Sequence, residues 1–140
     1  MYRRIVLGIV LVIGISGLAG SATITVNLDG SGDHTTIQAA LTAATGGDEI
    51  IVADGTYIDV GNRDLDFEGK AITLRSESGP QNCIIDCEQQ GRAFIFANGE
   101  GAGSVVDGFT ITNGSGWAGA GIVVSNGNHP IIKNCRINNC

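Results

Sequence analysis

"VVDGFTITNG", from Val105 to Gly114, is followed at an offset of 26 residues by "IIKNCRINNC", from Ile131 to Cys140. The two stretches share a pattern rather than an identity. Val105, Val106, Gly108, Phe109 and Ile111 fall on Ile131, Ile132, Asn134, Cys135 and Ile137, and polar Asp107, Thr110 and Thr112 fall on Lys133, Arg136 and Asn138. A preceding strand repeats too: "RAFIFAN" at 92–98 has a counterpart in "GIVVSN" at 121–126, at an offset of 28. Strand repeats of roughly 20–50 residues mean a solenoid, a propeller or an array. A propeller blade takes about 40–45 residues, and Leu is too scarce after residue 74 for a leucine-rich ladder. A coil of short strands stacked on itself remains, with Val106/Ile132, Phe109/Cys135 and Ile111/Ile137 as inward columns. Between the half-strands stands Gly108 in one copy and Asn134 in the next. Both residue types tolerate a left-handed backbone, so both copies are expected to bend sharply there.

Working outward, Ile24 to Leu28 alternates apolar and polar residues as a short strand would, and Asp29-Gly30-Ser31-Gly32-Asp33 breaks it. Ile37, Ala40, Leu41 and Ala44 then share one helical face, and Gly46-Gly47 ends the helix. Ile50-Ile51-Val52 reads as a compact strand and Asp54-Gly55-Thr56-Tyr57 as a turn. Everything beyond is short strands divided by Gly and Asn, with no second helical period, so the fold class is all-β: a parallel β-helix with a short N-terminal capping helix.

Arg3 and Arg4 precede an apolar run of 15 residues, Ile5 to Ala19, and small residues follow at Gly20-Ser21-Ala22. This is the layout of a secretory leader, and the run falls short of the roughly 20 residues that span a bilayer. Residues 1–22 are therefore expected to be a signal peptide, cleaved after Ala22 or Ala19, and the product to be secreted or held at the cell surface without a membrane span. Its loss leaves 6 Lys and Arg against 14 Asp and Glu, a net charge of −8. That balance argues against nucleic acid, which requires clustered basic residues. Cations and neutral sugars remain as partners.

Cys83, Cys87, Cys135 and Cys140 would meet an oxidising compartment after export. Disulfides are allowed, with three pairings that the sequence does not separate. Zinc fits Cys-x3-Cys and Cys-x4-Cys without neighbouring His poorly.

The segments "IIDCEQQGRAFIF", "VVDGFTITNG", "AGAGIVVSN" and "PIIKNCRINNC" resemble coils of right-handed parallel β-helix proteins of the pectin-lyase-like superfamily, especially large exported bacterial surface proteins. "DGSGDHTTIQAALTAATGGDEIIVADGTY" is similar to the N-terminal cap region of that superfamily, pectin esterases included. The resemblance covers residues 24–140 and implies a right-handed coil whose first turn is covered by the helix. It is specific for fold rather than activity. Enzymes of the superfamily that cleave polyuronates are expected to use outward acids, calcium and a basic residue. None of Arg63, Arg75, Arg92 and Arg136 lies in a motif matching such a site, and the esterase resemblance ends before the catalytic aspartates.

Asp59, Asp64, Asp66 and Glu68 form the sharpest polar cluster. With Leu65 and Phe67 facing inward, Asp64, Asp66 and Glu68 would share one outer strand face, either as a calcium site or as a solvated guard against edge pairing. If Ile85 stacks on Val106, Asp86 and Asp107 form an outward ladder capped by Lys133. Two carboxylates at about 4.8 Å spacing would hold a cation or act as an acid–base pair, whereas a capped ladder is simply structural. Ser31, Asp33 and His34 crowd one turn too closely for a proton relay, and His129 before Pro130 reads as a bend. Trp117 in "GSGWAGAG" would either stack on a sugar or fold back over the core.

Two functions follow: an exported scaffold that binds a glycan or adheres through loops such as 113–120, or the front of a polysaccharide lyase or hydrolase whose site lies on later coils. The pattern stops within a coil at Cys140, so the expectation is a longer protein, or an open end covered by a partner or by self-association.

Overall fold

The computed structural model describes residues 20–140, so the leader expected at 1–22 lies outside the described residues except for its last three. Strand β1 (Thr23–Val26) and helix α1 (Ile37–Ala43) open the fold. Three full coils follow: β2 (Glu49–Val52), β3 (Gly55–Tyr57) and β4 (Leu65–Asp66); β5 (Thr73–Ser76), β6 (Cys83–Asp86) and β7 (Phe94–Phe96); β8 (Val105–Asp107), β9 (Thr110–Thr112) and β10 (Ile122–Val124). β11 (Ile131–Lys133) and β12 (Arg136–Asn138) begin another. Successive coils build three sheets, ordered β1-β2-β5-β8-β11, β3-β6-β9-β12 and β4-β7-β10. All pairings between these strands are parallel. The result is an all-β parallel solenoid of about four turns.

The sequence repeat is the strand register. Val105 pairs with Ile131 and Thr110 with Arg136 at an offset of 26, and Phe94 pairs with Ile122 at 28. Earlier coils differ in length, from 24 residues between Glu49 and Thr73 to 32 between Thr73 and Val105. Stacking puts Ile50, Leu74 and Val106 in one buried column and Ile85 and Ile111 in another. Phe67, Phe94, Phe96 and Phe109 meet at the centre, with ring centroids 5.2 to 6.5 Å apart. Each such buried ring contributes about 1.5–3 kcal/mol of transfer free energy. In the last rung Ile132 and Cys135 are half-buried and Ile137 is 51% exposed, because no described strand stacks above it.

Helix α1 covers the other end. Ile37, Ala40 and Leu41 are buried, and the helix packs against β1, β2 and β4. Seven residues cannot sustain a helix alone, so its ends are tied. Thr36 Oγ1 accepts from Ala39 N at 3.4 Å, and Asn62 Oδ1 accepts from Ile37 N at 3.0 Å. Beyond the helix, buried Asp48 accepts from Ala22 N and Thr45 N, both at 2.8 Å, locking β1 to the turn before β2.

Two local expectations are corrected. Gly55–Tyr57, within the expected turn, is strand β3; Tyr57 is buried and its hydroxyl donates to Ala53 O at 2.9 Å. The first strand ends at Val26, and Leu28 is 47% exposed, because the chain turns through Asn27 to Gly30.

The bend between the first and second sheets is left-handed in both aligned copies, with φ of 87° at Gly108 and 53° at Asn134. Sterics separate the two positions. A Cβ on Gly108 would lie 2.5 Å from Ser76 Oγ, which itself accepts from Gly79 N at 3.1 Å. Gly108→Asn, which copies the residue one coil later, is therefore predicted to lower unfolding free energy in urea by about 1–3 kcal/mol through overpacking. Wild-type stability would contradict this contact.

Stability should also fall in acid. Backbone donors from Ala22 and Thr45 hold the Asp48 carboxyl below its usual range, backbone and hydroxyl donors of Thr25 do so for Asp33, and Lys70 does so for Glu68. Groups whose folded pKa is depressed contribute stability above the unfolded pKa and lose it as pH falls through the folded one. The melting temperature should therefore be flat down to about pH 5 and drop below about pH 4. Asp48→Asn should drop less steeply.

Candidate functional site

The corners of the coil claim the carboxylates. Asn134 Nδ2 donates to Asp107 Oδ1 at 2.7 Å at the corner between the first and second sheets. Asn113 Nδ2 donates to Asp86 Oδ1 at 3.0 Å at the second-to-third corner, and Asn98 Nδ2 donates to Asp66 Oδ2 at 2.9 Å at the third-to-first corner. In each case an asparagine reaches back one coil to the aspartate that ends the strand below. Asp66 and Asp86 also accept from Glu68 N at 2.7 Å and Glu88 N at 2.9 Å, where the backbone turns left-handed.

These engagements correct two expected constellations. Asp86 and Asp107 are in different sheets: Asp86 pairs with Thr112, and Asp107 with Arg75 and Lys133. No two-carboxylate ladder forms, although Lys133 Nζ does sit 3.4 Å from Asp107 Oδ2. Asp64, Asp66 and Glu68 do not share a strand face either, because β4 covers only Leu65–Asp66 and φ is 48° at Asp64 and 56° at Glu68. Asp64 instead accepts from Arg92 N at 2.9 Å, and Glu68 meets Lys70 Nζ and Thr42 Oγ1, each at 3.0 Å. Asp59 is exposed, and its backbone N–H donates to Glu88 at 3.0 Å. Among the described residues, no group of three or more His, Cys, Asp or Glu side chains converges.

All four cysteines are free thiols. Cys83, Phe109 and Cys135 occupy successive rungs of the second sheet, so Phe109 stands between the two sulfurs. Two rungs are about 9.6 Å, beyond the roughly 7 Å that a disulfide spans. Cys83 and Cys87 are buried four residues apart along one strand and its extension, about 13 Å. Burial pushes both thiols up to about 12. Cys140 is exposed, with its sulfur facing Gly114 N at 3.4 Å.

Trp117 is 100% exposed. Its glycine-rich loop crosses the second-to-third corner and is fastened to the coil below, where Arg92 Nε donates to Gly119 O at 2.6 Å and Ser115 N to Gly91 O at 2.8 Å. On the N-terminal turn, Ser31 Oγ accepts from Asn27 Nδ2 at 3.0 Å and Asp33 from Thr25 N at 2.8 Å, leaving no relay through His34. His129 is exposed, with Nδ1 3.4 Å from Gly127 O.

Among the described residues, no two carboxylates stand in register on the outward rungs. The third sheet presents Asp66, Ile95 and Val123 in register, and the first sheet stacks Ile51, Arg75, Asp107 and Lys133. Pattern reading missed the groove on the first-to-second corner, where the connection between β5 and β6 is long and stands up as a wall. A Gly-Pro signal in "ESGPQN" marked a break there but not its direction.

Among solved structures, the chain is similar to a pectin methylesterase from carrot, at 20% identity and a TM-score of 0.52. The shared fold is a right-handed parallel β-helix. The match covers 84% of this chain and 38% of the carrot enzyme, so the chain spans well under half of that protein's length. No family model matches the sequence, and no curated protein matches it. At this identity the likeness establishes fold alone. Among the described residues, no helix is long and apolar enough to cross a membrane.

The thiol geometry is directly testable. In folded protein near pH 8, about the ordinary thiol range, iodoacetamide should label Cys140 and leave Cys83 and Cys87 unmodified until denaturant is added. Peptide mass mapping reads the order, and early labelling of Cys83 would contradict the packing.

Proposed function

We propose that this chain is part of an exported β-helix scaffold that holds a glycan through the Trp117 loop without itself supplying a complete catalytic site. The observation that carries the reading is the full exposure of the indole on a loop fastened to the coil below. A bare Trp leaves a large apolar face in water, and such faces stack on sugar rings as they do on other flat partners. A solenoid suits the task, since each coil fixes the next and the loop needs little ordering on binding. The apolar leader supports an extracellular setting.

A second reading is supported by the fold shared with the carrot pectin methylesterase: the chain supplies the capped front of a polysaccharide-modifying enzyme whose reacting groups lie on other coils. In that reading the asparagine-bound aspartates remain structural.

Affinity electrophoresis against a panel of plant and bacterial polysaccharides, with assays for methanol release and unsaturated product, separates the two. The scaffold reading predicts retardation without turnover, and a loss of about 2 kcal/mol in binding for Trp117→Ala. Turnover by this chain, or unchanged binding by the variant, would overturn it.

A further inference from the structure

On the N-terminal side the three sheets end at β1, β3 and β4. An unpaired strand edge is a template for further pairing, and two of these three are closed from within. Along β1, His34 N donates to Thr25 O and Asn27 N to His34 O, both at 3.0 Å, while Asp33 Oδ2 accepts from Thr25 N at 2.8 Å. Along β4, the Gln38 side chain stands in for a strand: its Oε1 accepts from Asp66 N at 2.9 Å and its Nε2 donates to Asp66 O at 3.1 Å. The third edge, β3, has no such cover among the described residues, because the chain after β1 turns back along β1 through His34 instead of running beneath β3.

The register fixes which groups are left open. Gly55 N donates to Asn82 O at 2.8 Å, toward β6, so Gly55 and Tyr57 direct their backbone groups to that strand and Thr56 directs its N–H and C=O the other way. Ile58 N–H follows the same alternation, whereas Ile58 O accepts from Asn62 Nδ2 at 2.7 Å. Among the described residues, Thr56 N, Thr56 O and Ile58 N have no hydrogen-bond partner, and both residues are exposed. The border of this edge is apolar. Leu28, Ile58 and Val60 are exposed, Val60 to 82%, and Leu28 Cδ1 lies 3.1 Å from the place a Cβ on Gly55 would take. The ends of the strand are acidic: Asp54 precedes it and Asp59 follows, both exposed and neither within an ion pair of the described residues.

We propose that β3 is a docking edge for an extended segment of another protein in which apolar and basic residues alternate, and which adds a strand to the second sheet. The added strand lies about 4.8 Å beyond β3, where its backbone meets the open groups of Thr56 and Ile58. Its apolar side chains pack along Leu28, Ile58 and Val60, and its Lys or Arg side chains meet Asp54 and Asp59. Main-chain bonds supply the attachment and the two acids select the partner. A second copy of this chain fits poorly. Antiparallel pairing about Thr56 would set Asp54 of each copy beside Asp59 of the other, within chains that each carry a net charge of −6. The edge is two coils from the Trp117 loop and independent of what that loop holds.

The probes are a fluorescent peptide of alternating lysine and valine, its fully N-methylated version, and a glutamate–valine counterpart, each titrated into the full chain and followed by anisotropy and amide hydrogen exchange. The lysine peptide should bind and slow exchange at Thr56 and Ile58 roughly tenfold or more, leaving the amides of β6 unchanged. N-methylation, which removes the main-chain donors, should weaken binding roughly tenfold, and the glutamate peptide should not bind. Ile58→Ser and the pair Asp54→Asn with Asp59→Asn should each weaken binding severalfold, the second loss disappearing at high salt. Trp117→Ala should leave peptide binding unchanged. All these side chains are exposed, and circular dichroism verifies that the variants fold. No binding of the lysine peptide, binding that survives N-methylation, or binding without protection of Thr56 would overturn the docking edge. Protection of Thr56 that grows with protein concentration before any peptide is added would assign the edge to a second copy, and protection at every concentration would show it already covered; either overturns the proposal.

Discussion

A coil can repeat only if its corners repeat, and here each corner depends on one inter-coil bond between an asparagine amide and an aspartate carboxylate. Asn134 to Asp107, Asn113 to Asp86 and Asn98 to Asp66 place one such bond at each of the three corners. Asn134 and Asn113 have left-handed backbones, with φ of 53° and 55°, a conformation that asparagine tolerates better than other side-chain-bearing residues. The same residue thus provides the turn and the donor that fixes the next rung. A charged acceptor makes each bond stronger than a neutral one, by roughly 1.5–3 kcal/mol against about 1.

The core follows from that registration. Parallel strands at fixed spacing put Phe67, Phe94, Phe96 and Phe109 in contact and isolate Cys83 from Cys135 behind a ring. The ends are then the vulnerable parts of a solenoid. Helix α1 closes the first, and it is held by Asn62 and by burial of Ile37 and Leu41 rather than by its own propensity.

Much of this was legible in the sequence, because register and repeat are the same quantity. The offsets of 26 and 28 reappear as strand pairs, and the exchange of Gly108 for Asn134 reappears as two positive φ angles. The candidate site was less legible, for an instructive reason. "IID" at 84–86 and "VVD" at 105–107 look like stacked copies, yet they belong to different sheets. They look alike because both end at a corner that needs an aspartate to receive an asparagine from above. Strand alternation misplaced Asp64 and Glu68 because β4 is only two residues long. The groove wall could not be read from "ESGPQN", whose direction is set by tertiary bonds to Thr110 and Gly55.

On the proposed reading, function attaches to what the corners carry beyond their structural bonds, above all the exposed Trp117. This separation depends on the aspartates being occupied by the fold. A double-mutant cycle in urea on Asp86→Ala and Asn113→Ala measures that occupation most directly. The account predicts a coupling free energy of about 1 kcal/mol or more. Additive effects of the two substitutions would mean that Asp86 is not held by Asn113, and the carboxylates would return as candidates for chemistry.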